Sequence, residues 1–253
     1  MRRTWMLARL WLHLLVGGGW SSLVIPFAAL GGQGVLSRYI FARAAAWARR
    51  AVRIAGGRVV LEGVEKIPAE GPVLYVVNHQ SAMDIPVLLG HLPGAPGFVA
   101  KKELLNLPML SFWMRRLGCV PIDRSNPRAG LKAVTEAAGR VRGGRRIVLF
   151  PEGTRTREPD GTMLPFKRGA FKLALESDAV VVPVTVEGSR FLLARGWPEG
   201  YHGQVKLIVH DPIPVAGMDD AARKLLSDRV ETLISGGLKS HYMGSLPKEL
   251  AAP

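Results

Sequence analysis

Apolar and polar positions change rhythm along this chain at Gly56-Gly57. Before that point the pattern is helical. From Trp5 to Leu30 the only fully charged residue is Arg9, and Leu10 to Leu30 has none. As a straight helix that uncharged stretch would reach about 30 Å. Gly17, Gly18, Gly19 and Pro26 argue against a straight helix, because glycine and proline both weaken one. A second segment, Val35 to Ile54, alternates arginines with Ile40, Phe41, Ala44, Trp47 and Val52, the pattern of an amphipathic helix lying in lipid headgroups or packing on the rest of the chain. Three readings of the first segment compete: a transmembrane span, a kinked hairpin inserted in one leaflet with the second segment, or a cleaved signal peptide. No clear small-x-small site closes the apolar run, which speaks against the last.

After the glycine pair, short β-rich runs alternate with helical ones. Strands are predicted at 58–62, 73–77, 97–100, 119–122, 146–150, 180–186 and 205–210. Helices are predicted at 83–91, 127–142, 169–176 and 221–238. The stretch 104–117 is apolar, partly helical and broken by Pro108, whereas 151–168 is a loop rich in Gly, Pro, Thr and charge. Such alternation predicts an α/β sandwich with a largely buried sheet flanked by helices. The organisation is then an N-terminal helical pair over 1–54 that anchors to membrane, an α/β domain over 55–240, and a tail over 241–253.

Charge sharpens the reading of the first segment. The net charge is +14, yet through Ile54 there are eight arginines and no acidic residue, while the rest of the chain carries 26 basic and 20 acidic groups. Basic residues beside an apolar helix are attracted to anionic lipid by about 1 kcal/mol each near the surface. A nucleic-acid partner is the competing reading of such a charge, but no aromatic-basic platform or helix-turn-helix pattern accompanies it. The single cysteine, Cys119, excludes an internal disulfide and a multi-cysteine metal site.

The run Asn78-His79-Gln80-Ser81-Ala82-Met83-Asp84 directly follows an apolar strand. A histidine leaving a strand end can meet an aspartate five residues on across the first turn of a helix. A neutral imidazole can take a proton from a substrate hydroxyl while the carboxylate fixes its tautomer. Taken alone, the pair is equally a structural histidine beside a helix cap.

Its neighbours decide otherwise. The run resembles the NHxSxxD signature of the glycerol-phosphate and acylglycerol-phosphate acyltransferases. Gly118 to Arg124 is similar to that family's second block, which ends in an Asp-Arg pair, and Phe150-Pro151-Glu152-Gly153-Thr154-Arg155-Thr156 matches its FPEGTRS block except at the last residue. Val182-Pro183-Val184 is similar to a fourth block. The resemblance covers roughly residues 58–215. It implies a glycerolipid-acyltransferase-like mixed sheet, His79 and Asp84 as catalytic residues, no metal or resident cofactor, and direct transfer without an acyl-enzyme. The expected reaction moves an acyl group from acyl-CoA or acyl-carrier protein to the sn-2 hydroxyl of 1-acylglycerol-3-phosphate (lysophosphatidic acid). The expected place is the cytoplasmic face of the inner membrane, with membrane lipid as a further partner and no nucleic acid. Another lyso-lipid acceptor such as lyso-ornithine lipid, thioester hydrolysis, and non-catalytic lipid binding are the alternatives.

For substrate binding, Arg124 and Arg155 offer planar forks suited to a phosphate or to carboxylate partners. Glu152 and Gly153 form a turn whose backbone N–H groups can face an anion. Lys101 and Lys102 are further candidates, with Lys167 and Arg168 weaker ones. Ser81 lacks a nucleophile elbow and reads as a helix cap. Cys119 reads as buried filler. Met109, Phe112, Trp113 and Met114 read either as the lining of an acyl tunnel or as core.

Overall fold

The computed structural model describes residues 2–30, 32–123, 126–156, 162–193 and 203–245. Two helices, α1 (Arg2–Leu30) and α2 (Gly32–Ile54), precede the first strand. The strands are β1 (Arg58–Glu62), β2 (Val73–Val77), β3 (Gly97–Lys101), β4 (Val120–Ile122), β5 (Ile147–Leu149), β6 (Val180–Glu187), β7 (Gln204–Val209) and β8 (Ile213–Pro214). Between and after them run α3 (Asp84–His91), α4 (Pro108–Arg116), α5 (Pro127–Arg142), α6 (Lys172–Ser177) and α7 (Asp220–Ser245).

The strands form one mixed sheet in the order β1-β7-β6-β2-β5-β3-β4, with β8 paired to β6. From β6 through β4 neighbouring strands are parallel, whereas β7 and β8 both pair antiparallel to β6. Parallel strands need helical crossovers, which cover both faces and bury the strands on both sides. β2 shows the result: all five residues are buried, with Tyr75 and Val77 in one core and Leu74 and Val76 in the other. The first core lies under α2, α3 and α4, and the second under α5, α6 and α7. The expected mixed sheet flanked by helices is therefore present.

Several expectations change. α1 runs unbroken through Gly17–Gly19 and Pro26. The glycines serve close approach: a Cβ on Gly17 would meet the Trp47 ring at 3.4 Å, and one on Gly19 would meet Met109 at 3.7 Å. No helix among the described residues is long and apolar enough to cross a membrane, so the single-span reading finds no support. The apolar side of α2 is turned to the protein. Ile40, Ala44, Ala48 and Val52 are buried in the first core, and Arg49 Nη1 donates to the Gly90 carbonyl at the end of α3 at 2.9 Å. Of the two helices it is α1 that carries most of the exposed large apolar side chains, among them Trp5, Trp11, Leu12, Leu15 and Val16.

Pro108 does not break a helix. It opens α4 at its first turn, where proline's fixed φ fits and its missing N–H costs nothing. The last helix extends past the predicted end at 238 to Ser245. Gly237, within it, is a contact glycine: a Cβ there would fall 2.5 Å from Thr185 Oγ1.

Candidate active site

Three neighbouring parallel strands, β6, β2 and β5, end side by side, and the chain leaving each contributes to one crevice. This is where open α/β sheets place ligands, outside the carboxyl ends of the strands. Asn78 follows β2 and bridges to β6: its Nδ2 donates to the Val186 carbonyl at 2.9 Å, and its Oδ1 accepts the Val186 N–H at 2.8 Å. The next residue, His79, is thereby fixed at the mouth of the crevice.

Asp84 opens α3 and is fully buried. Its Oδ2 lies 2.7 Å from His79 Nδ1 and also accepts the N–H groups of Gln80 at 2.8 Å and Ser81 at 2.9 Å. Its Oδ1 accepts a hydrogen bond from the Ser189 hydroxyl, which arrives from the chain after β6. With four donors the buried carboxylate has the hydrogen-bond partners that a buried polar group needs. Holding Nδ1 as donor leaves Nε2 as the basic nitrogen, and Nε2 has no hydrogen-bond partner among the described residues. The ring stacks on Phe150, with centroids 4.0 Å apart and planes 16° from parallel. His79 is thus held on one edge and one face, while its side chain keeps 14% exposure. That is the arrangement of a general base.

The chain leaving β5 supports the same residue. Glu152 Oε1 accepts the His79 N–H at 2.5 Å, and Oε2 accepts the Leu164 N–H at 2.9 Å. The Thr156 N–H donates to the His79 carbonyl at 2.9 Å. Burial pushes the Glu152 carboxyl up to about 7, against the opposing pull of the two N–H donors. Gly153 has φ +74°, a left-handed conformation that glycine adopts without strain, and a Cβ there would lie 2.8 Å from Lys167 Nζ.

Beside Ala82 and Met83, a cavity of about 360 Å³ opens among α1, α2, α3 and α4. Its walls include Leu89, Phe98, Trp113, Met114 and Leu117. An almost wholly apolar cavity whose wall includes Met83 and Ile85, on either side of Asp84, suits a hydrocarbon chain attached to the reacting group.

Comparison with known proteins bears on the same residues. A family whose model is described as Acyltransferase matches residues 58–187, about half of the chain. The chain belongs to the acyltransferase family. A 1-acyl-sn-glycerol-3-phosphate acyltransferase of Pseudomonas aeruginosa is 31% identical over 194 residues, 76% of this chain and 73% of its own length. The chloroplastic 1-acyl-sn-glycerol-3-phosphate acyltransferase BAT2 of Brassica napus is 35% identical over 174 residues. This chain spans about half the length of BAT2 and of the Arabidopsis thaliana relative. The crystal structure of the 1-acyl-sn-glycerophosphate (LPA) acyltransferase PlsC from Thermotoga maritima superposes with a TM-score of 0.78 at 28% identity, covering 95% of this chain and 97% of that one.

Within this acyltransferase-family site, the residues expected from sequence separate into groups. His79 and Asp84 meet. Both oxygens of the Glu152 carboxylate accept backbone N–H groups, one of them that of His79, and the Gly153 N–H, expected to face an anion, donates to the Phe150 carbonyl at 3.1 Å. Arg155 is exposed, has no ion-pair partner among the described residues, and sits next to Thr156, which bonds to His79. Lys102 is held by Asp123 at 2.5 Å and Lys101 by Glu103 at 3.5 Å, so neither is a free cation. Arg168 pairs with Asp228 at 3.2 Å, while Lys167 lies against Gly153. Arg124 lies outside the described residues. The Ser81 hydroxyl accepts the Met83 N–H at 3.1 Å, a turn role. Burial raises the Cys119 thiol to about 11, far from a reactive thiolate. Trp113 and Met114 line the cavity, but Met109 and Phe112 are not in its wall.

Sequence reasoning missed Ser189 and Phe150 as supports of the dyad. Ser189 carries no motif of its own, and its one signal is its place: it follows Gly188 (φ +84°) at the end of a strand. Gln80 carried no role in the sequence reading. It is buried, and neither of its amide atoms has a partner among the described residues.

Proposed function

We propose that this chain is a membrane-associated 1-acylglycerol-3-phosphate O-acyltransferase that makes phosphatidic acid. The observation that carries the proposal is the 2.7 Å contact between His79 Nδ1 and the fully buried Asp84, beside an apolar cavity. In the reaction, the sn-2 hydroxyl of the lyso-lipid gives its proton to His79 Nε2, and its oxygen attacks the thioester carbonyl of acyl-CoA or acyl-carrier protein. Asp84 steadies the imidazolium that forms. The tetrahedral adduct collapses to the ester, the carbon–sulfur bond breaks, and the departing thiolate takes the proton back from His79. No group on the protein carries the acyl chain.

The acceptor phosphate is assigned to Arg155, with Arg124 and Lys167 as supporting cations. The acyl chain occupies the cavity walled by Trp113 and Met114. The exposed apolar side chains of α1, with the arginines of α1 and α2, suit an interface at a cytoplasmic leaflet. The test is acceptor-resolved mass spectrometry of products formed by the purified protein. Lysophosphatidic acid and lyso-ornithine lipid are offered as acceptors, each with acyl-CoA and with acyl-carrier protein. Phosphatidic acid as the dominant product supports the proposal. Release of free fatty acid in the presence of abundant acceptor, or preference for lyso-ornithine lipid, refutes it.

A further inference from the structure

A second concavity lies between α1 and α2, apart from the His79 site. It is an open cleft of about 620 Å³, and its cationic lining is Arg9, Arg43, Arg50 and Arg53, with His13 beside them. Arg9, Arg50 and Arg53 make no ion pair among the described residues. The first acidic residue in the chain is Glu62, so neither helix can neutralise the cluster from its own sequence. Several guanidinium groups held together without carboxylates repel one another, and an anion relieves that repulsion.

The same cleft is lined by Leu12 and Val16, which are 62% and 60% exposed. A ligand there meets charge and hydrocarbon together. Gly17, Arg43 and Trp47 line both this cleft and the apolar cavity beside the active site. The wall they form is a clasp between the helices. His13 Nε2 is 3.1 Å from the Trp47 carbonyl, Trp47 Nε1 donates to the His13 carbonyl at 3.3 Å, and the two rings stack 7° from parallel. Gly17 keeps the wall thin, since even a methyl there would touch both rings at 3.4–3.5 Å.

We propose that the α1–α2 cleft is a second lipid site, which binds the phosphate of an anionic membrane phospholipid among Arg9, Arg50 and Arg53 and passes one of its chains by the His13–Trp47 clasp toward the acyl cavity. A lipid seated there would compete with the acyl donor for the cavity and would tie occupancy of the membrane to turnover. Bare phosphate satisfies the arginines but leaves the apolar half of the cleft in water. A zwitterionic lipid brings its own cation against them. The proposal rests on the membrane placement of the helical pair but not on the chemistry assigned to His79.

Native mass spectrometry of the full chain in detergent tests it, by counting retained phosphatidylglycerol, phosphatidylcholine or inorganic phosphate. Phosphatidylglycerol is neither substrate nor product of the proposed reaction, so its binding is read independently of turnover. One molecule should be retained at concentrations at which phosphatidylcholine is not. Arg9→Gln/Arg53→Gln should weaken that binding at least about tenfold, as expected for two lost charge-assisted contacts. Arg38→Gln/Arg58→Gln removes the same charge outside the cleft and should change it less than about twofold. Gly17→Leu should weaken phosphatidylglycerol while leaving inorganic phosphate unaffected. Equal losses in the two double variants, or equal retention of the two lipids, would overturn the site. Inorganic phosphate binding as tightly as the lipid, with Gly17→Leu silent, would overturn the passage of a chain.

Discussion

Replacing Asp84 separates its two tasks, since the carboxylate both orients His79 and satisfies the chain around it. Asp84→Ala removes the acceptor for the Gln80 and Ser81 N–H groups, the Ser189 hydroxyl and His79 Nδ1. Each buried donor left unsatisfied costs about 1–3 kcal/mol. Relief from burying a charge offsets part of that total, which leaves a net loss of about 3–5 kcal/mol. In a domain of this size the loss should lower Tm by roughly 10 °C. Asp84→Asn keeps the shape and one acceptor oxygen, and the Ser189 hydroxyl can rotate to accept the new amide. It should lose only about 1–2 kcal/mol. Both variants should lose turnover by about 10²–10⁴-fold, because an amide cannot stabilise the imidazolium. His79→Ala should match them in activity yet melt close to wild type, since the imidazole is partly exposed and Asp84 keeps three donors. The three purified variants, compared by thermal melting and by acyl-transfer rate, give a two-dimensional readout. An Asp84→Ala protein melting like His79→Ala would refute the hydrogen-bond accounting. An Asp84→Asn protein with wild-type turnover would refute the electrostatic role.

Arg155→Lys should raise the acceptor KM about tenfold and leave the donor KM unchanged, because an ammonium cannot reproduce a bidentate fork; steady-state kinetics with each substrate varied would expose a merely structural arginine. Glu152 holds its proton in the folded state up to about pH 7, while the unfolded chain releases it near 4.5. Stability should therefore fall as pH rises through that window, by at most about 3 kcal/mol, and stay low above it. Glu187, also raised by burial to about 7, adds to the same slope. Melting curves from pH 5 to 8 should flatten in part in Glu152→Gln, and an unchanged slope would remove Glu152 from the account. Washing membranes with high salt or carbonate should leave the protein in the pellet, because salt screens the arginines but not the apolar face of α1; complete release by salt would make the attachment purely electrostatic.

The elements after Gly57 were legible because their periods differ: β2 is a short apolar run bounded by turn residues, whereas α5 shows apolar positions at helical spacing behind an Asn126 cap. His79 and Asp84 were legible because both partners lie within one turn of chain. What sequence could not convey was contact across long separations. Nothing near Ser189 announces that it bonds to Asp84 105 positions earlier. The task of the Glu152 carboxylate was hidden because its two N–H donors come from Leu164 and from His79, one of them in another strand's exit. The two readings of the second helix stayed open for a related reason. Amphipathicity reports that α2 has an apolar side, but only the packing of α2 on α3 decides that the side meets protein and leaves α1 to face outward. Pro108 had the right residue type for a break, and its first-turn position gave it another use.

The bridge from Asn78 and Asp84 to Val186 and Ser189 has a consequence for the chain as it is made. The motif carrying the base emerges early, but its orientation waits for residues that leave the ribosome more than a hundred positions later. Until β6 inserts beside β2, Asp84 lacks its Ser189 partner and Asn78 has no strand to clasp. The first half of the protein, though it bears the recognisable signature, is therefore silent chemistry. A copy that stops before β6 would therefore lack both of the contacts by which that strand and its exit hold Asn78 and Asp84.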